Sequence, residues 1–198
     1  GTPMGTDGTR YDGFRLMDAA EATQRLRGSD ALEDQLETVL DIVRRGGGSG
    51  VFHGIHEDDL RAFALLPGTA FASDSGVREF GKGVPHPRGY GNNARVLARY
   101  VRELGVLRLE DAIRRMTSLP ATTFGLRDRG QLREGAWADL VIFDPATVAD
   151  RATFEDPHQF SAGFQAVIVN GQVVVEDGKH TGARPGSTLK GPGYLAGL

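Results

Sequence analysis

The order of elements predicts an α/β chain whose last third is rich in strands. Three observations carry this reading. Residues 30–45 place Leu32, Leu36, Val39, Leu40 and Val43 on one face at the helical period. Short apolar runs at 51–55 and 69–72 alternate with helical stretches, a helix–strand–helix–strand rhythm. Beyond Gly125 the helical period gives way to strand-like runs at 139–143, 166–169 and 172–176.

Taken in chain order, residues 1–13 have no periodicity and read as a flexible start. The 30–45 helix opens on Asp30 with Glu33 three residues on, the pattern of a capping box, and stops at Gly46-Gly47-Gly48. Residues 51–55 read as a short strand and 57–66 as a second helix, closed by Pro67-Gly68. The run 69–72 reads as a buried strand, followed by a loop from Ser73 to Gly91. A third helix is predicted over 92–104, with Val96, Leu97, Tyr100, Val101 and Leu104 on its apolar face and Gly105 as its stop. A fourth covers 109–116, with Ala112, Ile113 and Met116 on one side. Ser118-Leu119-Pro120 restarts a short helix to about Phe124, proline being tolerated in a first turn. In the strand-rich part, Asn170-Gly171 joins two runs with the strongest two-residue hairpin signal. Residues 144–165 are too long for a tight connection. A boundary falls near 125–135.

Composition removes several classes. The chain has 198 residues, 39% of them hydrophobic and 25% charged, which is globular. A net charge of -3 makes no electrostatic case for nucleic acid or an anionic membrane. No apolar run reaches the roughly 18 residues of a spanning helix. With no cysteine, disulfides and thiolate zinc sites are excluded, which fits a cytoplasmic protein.

Chemistry is concentrated in one stretch. Asp74, in Ser73-Asp74-Ser75, follows the apolar run as a carboxylate at a strand exit, where α/β barrels place catalytic groups. The plainer reading is a turn aspartate, because Ser-Asp-Ser is favourable turn chemistry. Arg88, in His86-Pro87-Arg88-Gly89-Tyr90-Gly91, offers a guanidinium suited to a substrate carboxylate, against the plainer reading of a surface arginine. The histidines are His53, His56, His86, His158 and His180. Their spacing includes neither His-x-His nor His-Glu-x-x-His, so a self-contained zinc hydrolase site is not expected. Nucleophile-elbow, P-loop and dinucleotide-binding patterns are absent. Glu57-Asp58-Asp59 and Glu110-Asp111 read as first-turn acids favoured by the helix dipole.

The run Arg129-Gly130-Gln131-Leu132-Arg133-Glu134-Gly135-Ala136-Trp137-Ala138-Asp139-Leu140-Val141-Ile142-Phe143-Asp144 resembles the closing segment of the amidohydrolase superfamily. Met116-Thr117-Ser118-Leu119-Pro120-Ala121 and the Val169-Asn170-Gly171 hairpin fit it as well. Ser73-Asp74, the His86–Gly91 motif, the run from Arg95 to Glu103 and Asp150-Arg151-Ala152-Thr153-Phe154-Glu155 narrow the resemblance to the N-acyl-D-amino-acid deacylases, the D-aminoacylase group. Ser75 stands where that group commonly has glycine.

The resemblance implies the C-terminal part of a metal-dependent hydrolase with a TIM-like (β/α)8 barrel, followed by a small β-sandwich segment. Residues 14–128 would be the last βα units and 129–198 the sandwich-forming segment. It implies zinc-dependent hydrolysis of the amide of an N-acyl-D-amino acid. Asp74 would take a proton from the attacking water and pass it to the leaving amine, and would be a zinc ligand at most in part. Arg88 would bind the substrate carboxylate. Family members are much longer, with metal-binding histidines in earlier strands, and a barrel needs roughly 250 residues. The expected partners are therefore a missing N-terminal part or another copy of the chain, besides the substrate. Two other readings stand beside this one: a non-catalytic structural or oligomerisation module, and a cyclic-amide hydrolase of the dihydroorotase or hydantoinase type.

Overall fold

The structure is a computed structural model that describes residues 23–24, 27–29, 31–46 and 55–194. The start expected over 1–13 lies outside them. The architecture is mixed helix and strand, in which helices come first and a single antiparallel sheet follows.

Helix α1 spans Leu32–Arg44. Its first-turn acids Glu33 and Asp34 and last-turn Arg44 complement the helix dipole. Ala31 stands at the N-cap without a side-chain cap bond, and the Asp30 of the expected capping box lies outside the described residues. The apolar stripe is where the period puts it, yet Leu32 and Val43 are 69% and 61% exposed. The buried residue is instead Thr38, whose hydroxyl receives Arg27 Nε at 3.1 Å, while Arg27 also pairs with Asp41 at 2.6 Å.

Helix α2, Glu57–Leu65, starts as its composition requires. The acids Glu57, Asp58 and Asp59 fill the first turn, and His56 Nδ1 accepts the Asp58 N–H at 3.3 Å. His56 is thus a helix cap. The strand expected over 51–55 lies almost wholly outside the described residues.

The strand expected over 69–72 does not form. The backbone there is irregular and makes one cross-chain bond, Phe71 N–H to the Arg115 carbonyl at 3.3 Å. A strand exists only through a partner's ladder, and the described residues give this segment none.

Helix α3, Arg88–Arg95, continues directly into a π-helical segment, Val96–Glu103. The Leu104 N–H closes on the Arg99 carbonyl five residues back, at 2.9 Å. The helix therefore begins four residues before the predicted start, so Arg88 is a first-turn residue rather than a loop residue. The wider π turn presents three consecutive residues, Val96, Leu97 and Ala98, to the interior, with Tyr100 buried beyond them. Gly105 ends the rod as expected.

Helices α4, Leu109–Met116, and α5, Ser118–Thr123, match their predicted positions. Arg115 on α4 is 3% exposed. It pairs with Asp111 one turn back at 2.6 Å and donates to the Ala64 and Leu66 carbonyls at the end of α2. Its guanidinium lies over the Phe71 ring. This one cation fastens α4 to α2 and to the segment leading to Ser73.

The sheet has the order β1 (Leu140–Phe143), β2 (Phe164–Val169), β3 (Gln172–Glu176) and β4 (Lys179–His180), all antiparallel. Asn170 and Gly171 both take positive φ, 47° and 79°, which is the turn that brings Val169 opposite Gln172. Asp177-Gly178 repeats that chemistry with φ of 46° and 75° and adds β4, a strand the sequence reading missed although the Asp-Gly signal is present.

Residues 144–163 form a long excursion between β1 and β2. Its neck is closed by the Ala149–Ala162 bridge. Val148 is fully buried, and Arg102 from the π segment donates to the Val148 carbonyl at 2.7 Å and the Pro145 carbonyl at 3.0 Å. Arg95 pairs with Asp150 at 3.0 Å. The principal cluster unites Ala94, Val96, Leu97, Tyr100, Leu107, Ala112 and Val148, with Phe143 and Phe164 from the sheet packed against it. Among the described residues no helix is long and apolar enough to cross a membrane.

The hydrogen bond from Arg115, and secondarily that from Arg114, holds the Asp111 carboxyl below its ordinary value. A lowered carboxylate stabilises the fold fully above its ordinary value near ~4 and loses that contribution as pH falls through the lowered folded value. Asp111→Ala should cost about 3 kcal/mol at neutral pH, the low end for breaking a buried pair because two carbonyl partners of Arg115 remain. In denaturant titrations the gap to the parent chain should hold down to roughly pH 4 and close below it. A gap that does not change with pH would refute the assignment.

Candidate functional site

Asp74 and Arg88, identified separately in the sequence, come together. Arg88 Nη2 stands 3.0 Å from Asp74 Oδ2 and donates to the Asp74 carbonyl at 2.8 Å. Both sit at the surface, the Asp74 side chain 90% exposed and that of Arg88 43%.

Local backbone chemistry explains how each is presented. Ser73 Oγ accepts the Ser75 N–H at 3.3 Å, a serine turn, and Asp74 at its centre takes φ 48°, which aspartate tolerates better than most residues. The turn reading of Asp74 holds, and the turn is what projects the carboxylate into solvent. Arg88 opens α3, and His86 Nδ1 accepts its N–H at 3.0 Å. The first-turn donors of Gly89 and Tyr90 go to the His86 and Pro87 carbonyls. His86, which had no role of its own in the sequence, is a helix-start residue whose ring meets Phe154 edge-on at 5.0 Å.

Gly89 is favoured by close approach. A Cβ there would lie 2.8 Å from Ser75 Oγ. The serine turn and the start of α3 are in contact, which sets the carboxylate within reach of the guanidinium.

Arg88 uses Nη2 for both contacts with Asp74. Its Nε and Nη1 have no acceptor among the described residues. The outward edge of the guanidinium is thus available to an external carboxylate.

No group of three or more His, Cys, Asp or Glu that could hold a metal ion occurs among the described residues. His53 lies outside them. His180 accepts the Gly182 N–H in an exposed turn. A recess of about 420 Å³, lined by Trp137, Arg127, Lys190 and Tyr194 among others, includes neither Asp74 nor Arg88.

The residue that sequence reasoning missed is His158, which touches the Gly81–Gly83 loop and Tyr90. Its partners are 68 to 77 residues away, and no local pattern signals such a contact.

Comparison with known proteins adds to this geometry. Residues 67–175 match the model of the amidohydrolase family. The chain is 51% identical over 113 residues to an N-acyl-D-glutamate deacylase of Alcaligenes xylosoxydans xylosoxydans, covering 57% of this chain and 23% of that protein. It is 40% identical over 193 residues to an N-acyl-D-aspartate deacylase of the same organism, covering 95% of this chain and 38% of that protein. The chain thus spans between about a quarter and two fifths of these relatives' length. Among solved structures, a D-aminoacylase superposes with TM-score 0.73 at 34% identity, covering 92% of this chain and 35% of that one. An N-acyl-D-glutamate deacylase from Bordetella bronchiseptica, complexed with zinc and a phosphonate mimic of the tetrahedral intermediate, does so with TM-score 0.69 at 34% identity, covering 90% and 36%. With more than half of its length matched by the family model and its neighbours all D-aminoacylases or related deacylases, the chain belongs to the amidohydrolase family, in the D-aminoacylase group.

Proposed function

We propose that this chain carries the acid/base and carboxylate-binding corner of a zinc-dependent enzyme that hydrolyses N-acyl-D-amino acids. The observation that carries the reading is the contact between Asp74 and Arg88, with the outer edge of the guanidinium left open. An N-acyl-amino acid has its carboxylate two bonds from the scissile amide nitrogen. A base and a cation side by side fit that spacing: Arg88 holds the carboxylate while Asp74 stands beside the amide. The relatives' printed activities, deacylation of N-acyl-D-glutamate and N-acyl-D-aspartate, support the substrate class.

Asp74, exposed and hydrogen-bond-competent, takes a proton from the attacking water and returns it to the leaving amine. Arg88 orients the substrate, so the reaction starts from one geometry rather than many. Zinc is supported by the zinc-bound relative. A zinc site takes about four ligands, and the described residues hold no group of three or more His, Cys, Asp or Glu that could supply them. A full ligand set therefore draws on residues beyond those described. We further propose that residues 14–128 are barrel units and 129–198 a sandwich-forming segment, a division supported by the passage from helices to an antiparallel sheet beyond α5.

In the complete enzyme, Asp74→Asn should lower kcat by roughly 10²–10⁴-fold with KM little changed. Arg88→Lys should raise KM about tenfold or more, because a point charge replaces a planar fork, and should leave kcat less affected. Steady-state kinetics on N-acetyl-D-glutamate and N-acetyl-D-aspartate measure both. Wild-type kcat in Asp74→Asn, or wild-type KM in Arg88→Lys, would remove that residue from its role. Dialysis against a chelator should abolish hydrolysis and added zinc restore it; full activity in metal-free enzyme would exclude zinc dependence.

A further inference from the structure

His158 joins two segments distant in sequence. Its Nε2 is 3.0 Å from the Gly83 carbonyl oxygen. A carbonyl only accepts, so Nε2 carries the ring proton. Nδ1 is then an acceptor, and it receives the Gly81 N–H at 3.1 Å and the Tyr90 hydroxyl at 2.9 Å. One neutral imidazole thereby engages three partners through both nitrogens.

The partners flank the proposed site. Gly81 and Gly83 belong to the stretch between Asp74 and Arg88, which has no helix or strand from 74 to 85. Tyr90 stands two residues beyond Arg88, in the first turn of α3. On the other side, His158 belongs to the 144–163 excursion, itself tied to the same helix: Ser161 Oγ donates to the Tyr90 carbonyl at 2.9 Å. Aromatic packing completes the contact, with Phe80 stacked on Phe160 at 4.9 Å and edge-on to Tyr90 at 6.1 Å. Within the loop itself the contacts are local: a surface ion pair, Glu79 with Lys82 at 2.7 Å, and the Lys82 N–H to the Glu79 carbonyl at 3.2 Å; exposed pairs of this kind order a chain weakly.

We propose that His158, as the Nε2–H tautomer, is a positioning residue that clasps the Gly81–Gly83 loop to the helix bearing Arg88. It holds the carboxylate-binding arginine in register with the acid/base. The proposal rests on the roles of Asp74 and Arg88 given above, and it assigns His158 no contact with substrate.

The test uses the complete zinc-loaded enzyme with two substitutions, His158→Phe and Tyr90→Phe. The second keeps the aromatic packing and removes one hydroxyl, so it stays informative if the first fails to fold. In histidine-labelled enzyme at mildly alkaline pH, the ring nitrogen shifts should report Nε2–H for His158. In His158→Phe, amide exchange at Gly81 should accelerate about tenfold, the equivalent of one lost hydrogen bond. KM for an N-acetyl-D-amino acid should rise by a similar factor while kcat stays within about twofold, the signature of lost positioning in the bound state. Tyr90→Phe should raise KM about threefold, in keeping with one weaker bond. An Nδ1–H tautomer, unchanged Gly81 exchange in His158→Phe, or unchanged KM in Tyr90→Phe would overturn the clasp. The tautomer and exchange readouts need no turnover. They decide the clasp even if the wild-type enzyme hydrolyses no N-acyl-D-amino acid, a result that would instead overturn the proposed function.

Discussion

Everything near the proposed site hangs on one docking event: the helical rod over residues 88–103 is gripped from the side by the 144–163 excursion of the sheet. Arg102 donates to two carbonyls of that excursion, Arg95 pairs with Asp150, and Val148 enters the cluster formed by Val96, Leu97 and Tyr100. The polar contacts satisfy excursion carbonyls that would otherwise be costly to bury. The apolar ones supply the driving force. Because Arg88 opens this rod, its position is set by contacts between residues up to 71 apart in the chain. Tyr100 shows how closely the two layers are packed: burial first, and then the Glu57 carboxylate that accepts its hydroxyl, push the phenol above its ordinary value.

Local signals were legible where local physics decides. Helix α4 and strand β3 match the sequence reading at both ends, because amphipathic period, first-turn acids and the Asn-Gly turn act within a few residues. The start of α3 was not legible. Gly89, Tyr90 and Gly91 read as loop, and glycine does lower helix propensity. Here His86 receives the first N–H, and Gly89 lets the helix come against Ser75. Tertiary contact overrides propensity.

The other misses also concern partners rather than periods. The run 69–72 has strand-like composition, but composition does not supply a ladder. The α1 stripe has the right period, yet its leucines and valines are exposed among the described residues, while polar Thr38 is buried under Arg27. Periodicity says which face of a helix is apolar. It does not say what covers that face. His158 is the extreme case, with three partners that no window of sequence could associate.

The Asp74–Arg88 contact gains meaning from its weakness. A pair this exposed is worth about 0–1 kcal/mol, far less than the buried Arg115–Asp111 pair that holds α4 to α2. A structural ion pair would be placed like the latter, with the cation enclosed and one of its nitrogens, Nη1, given to two carbonyls. Arg88 is placed oppositely: one nitrogen serves both contacts with Asp74, and Nε and Nη1 have no acceptor among the described residues. Such a pair can admit an external carboxylate at small cost, and Asp74 Oδ1, outside the contact with Arg88, keeps its lone pairs for a proton. The two ion pairs thus differ in burial rather than residue type: Arg115 is enclosed and ties elements together, while Asp74 and Arg88 stay open to solvent, as the proposed role of the second pair requires.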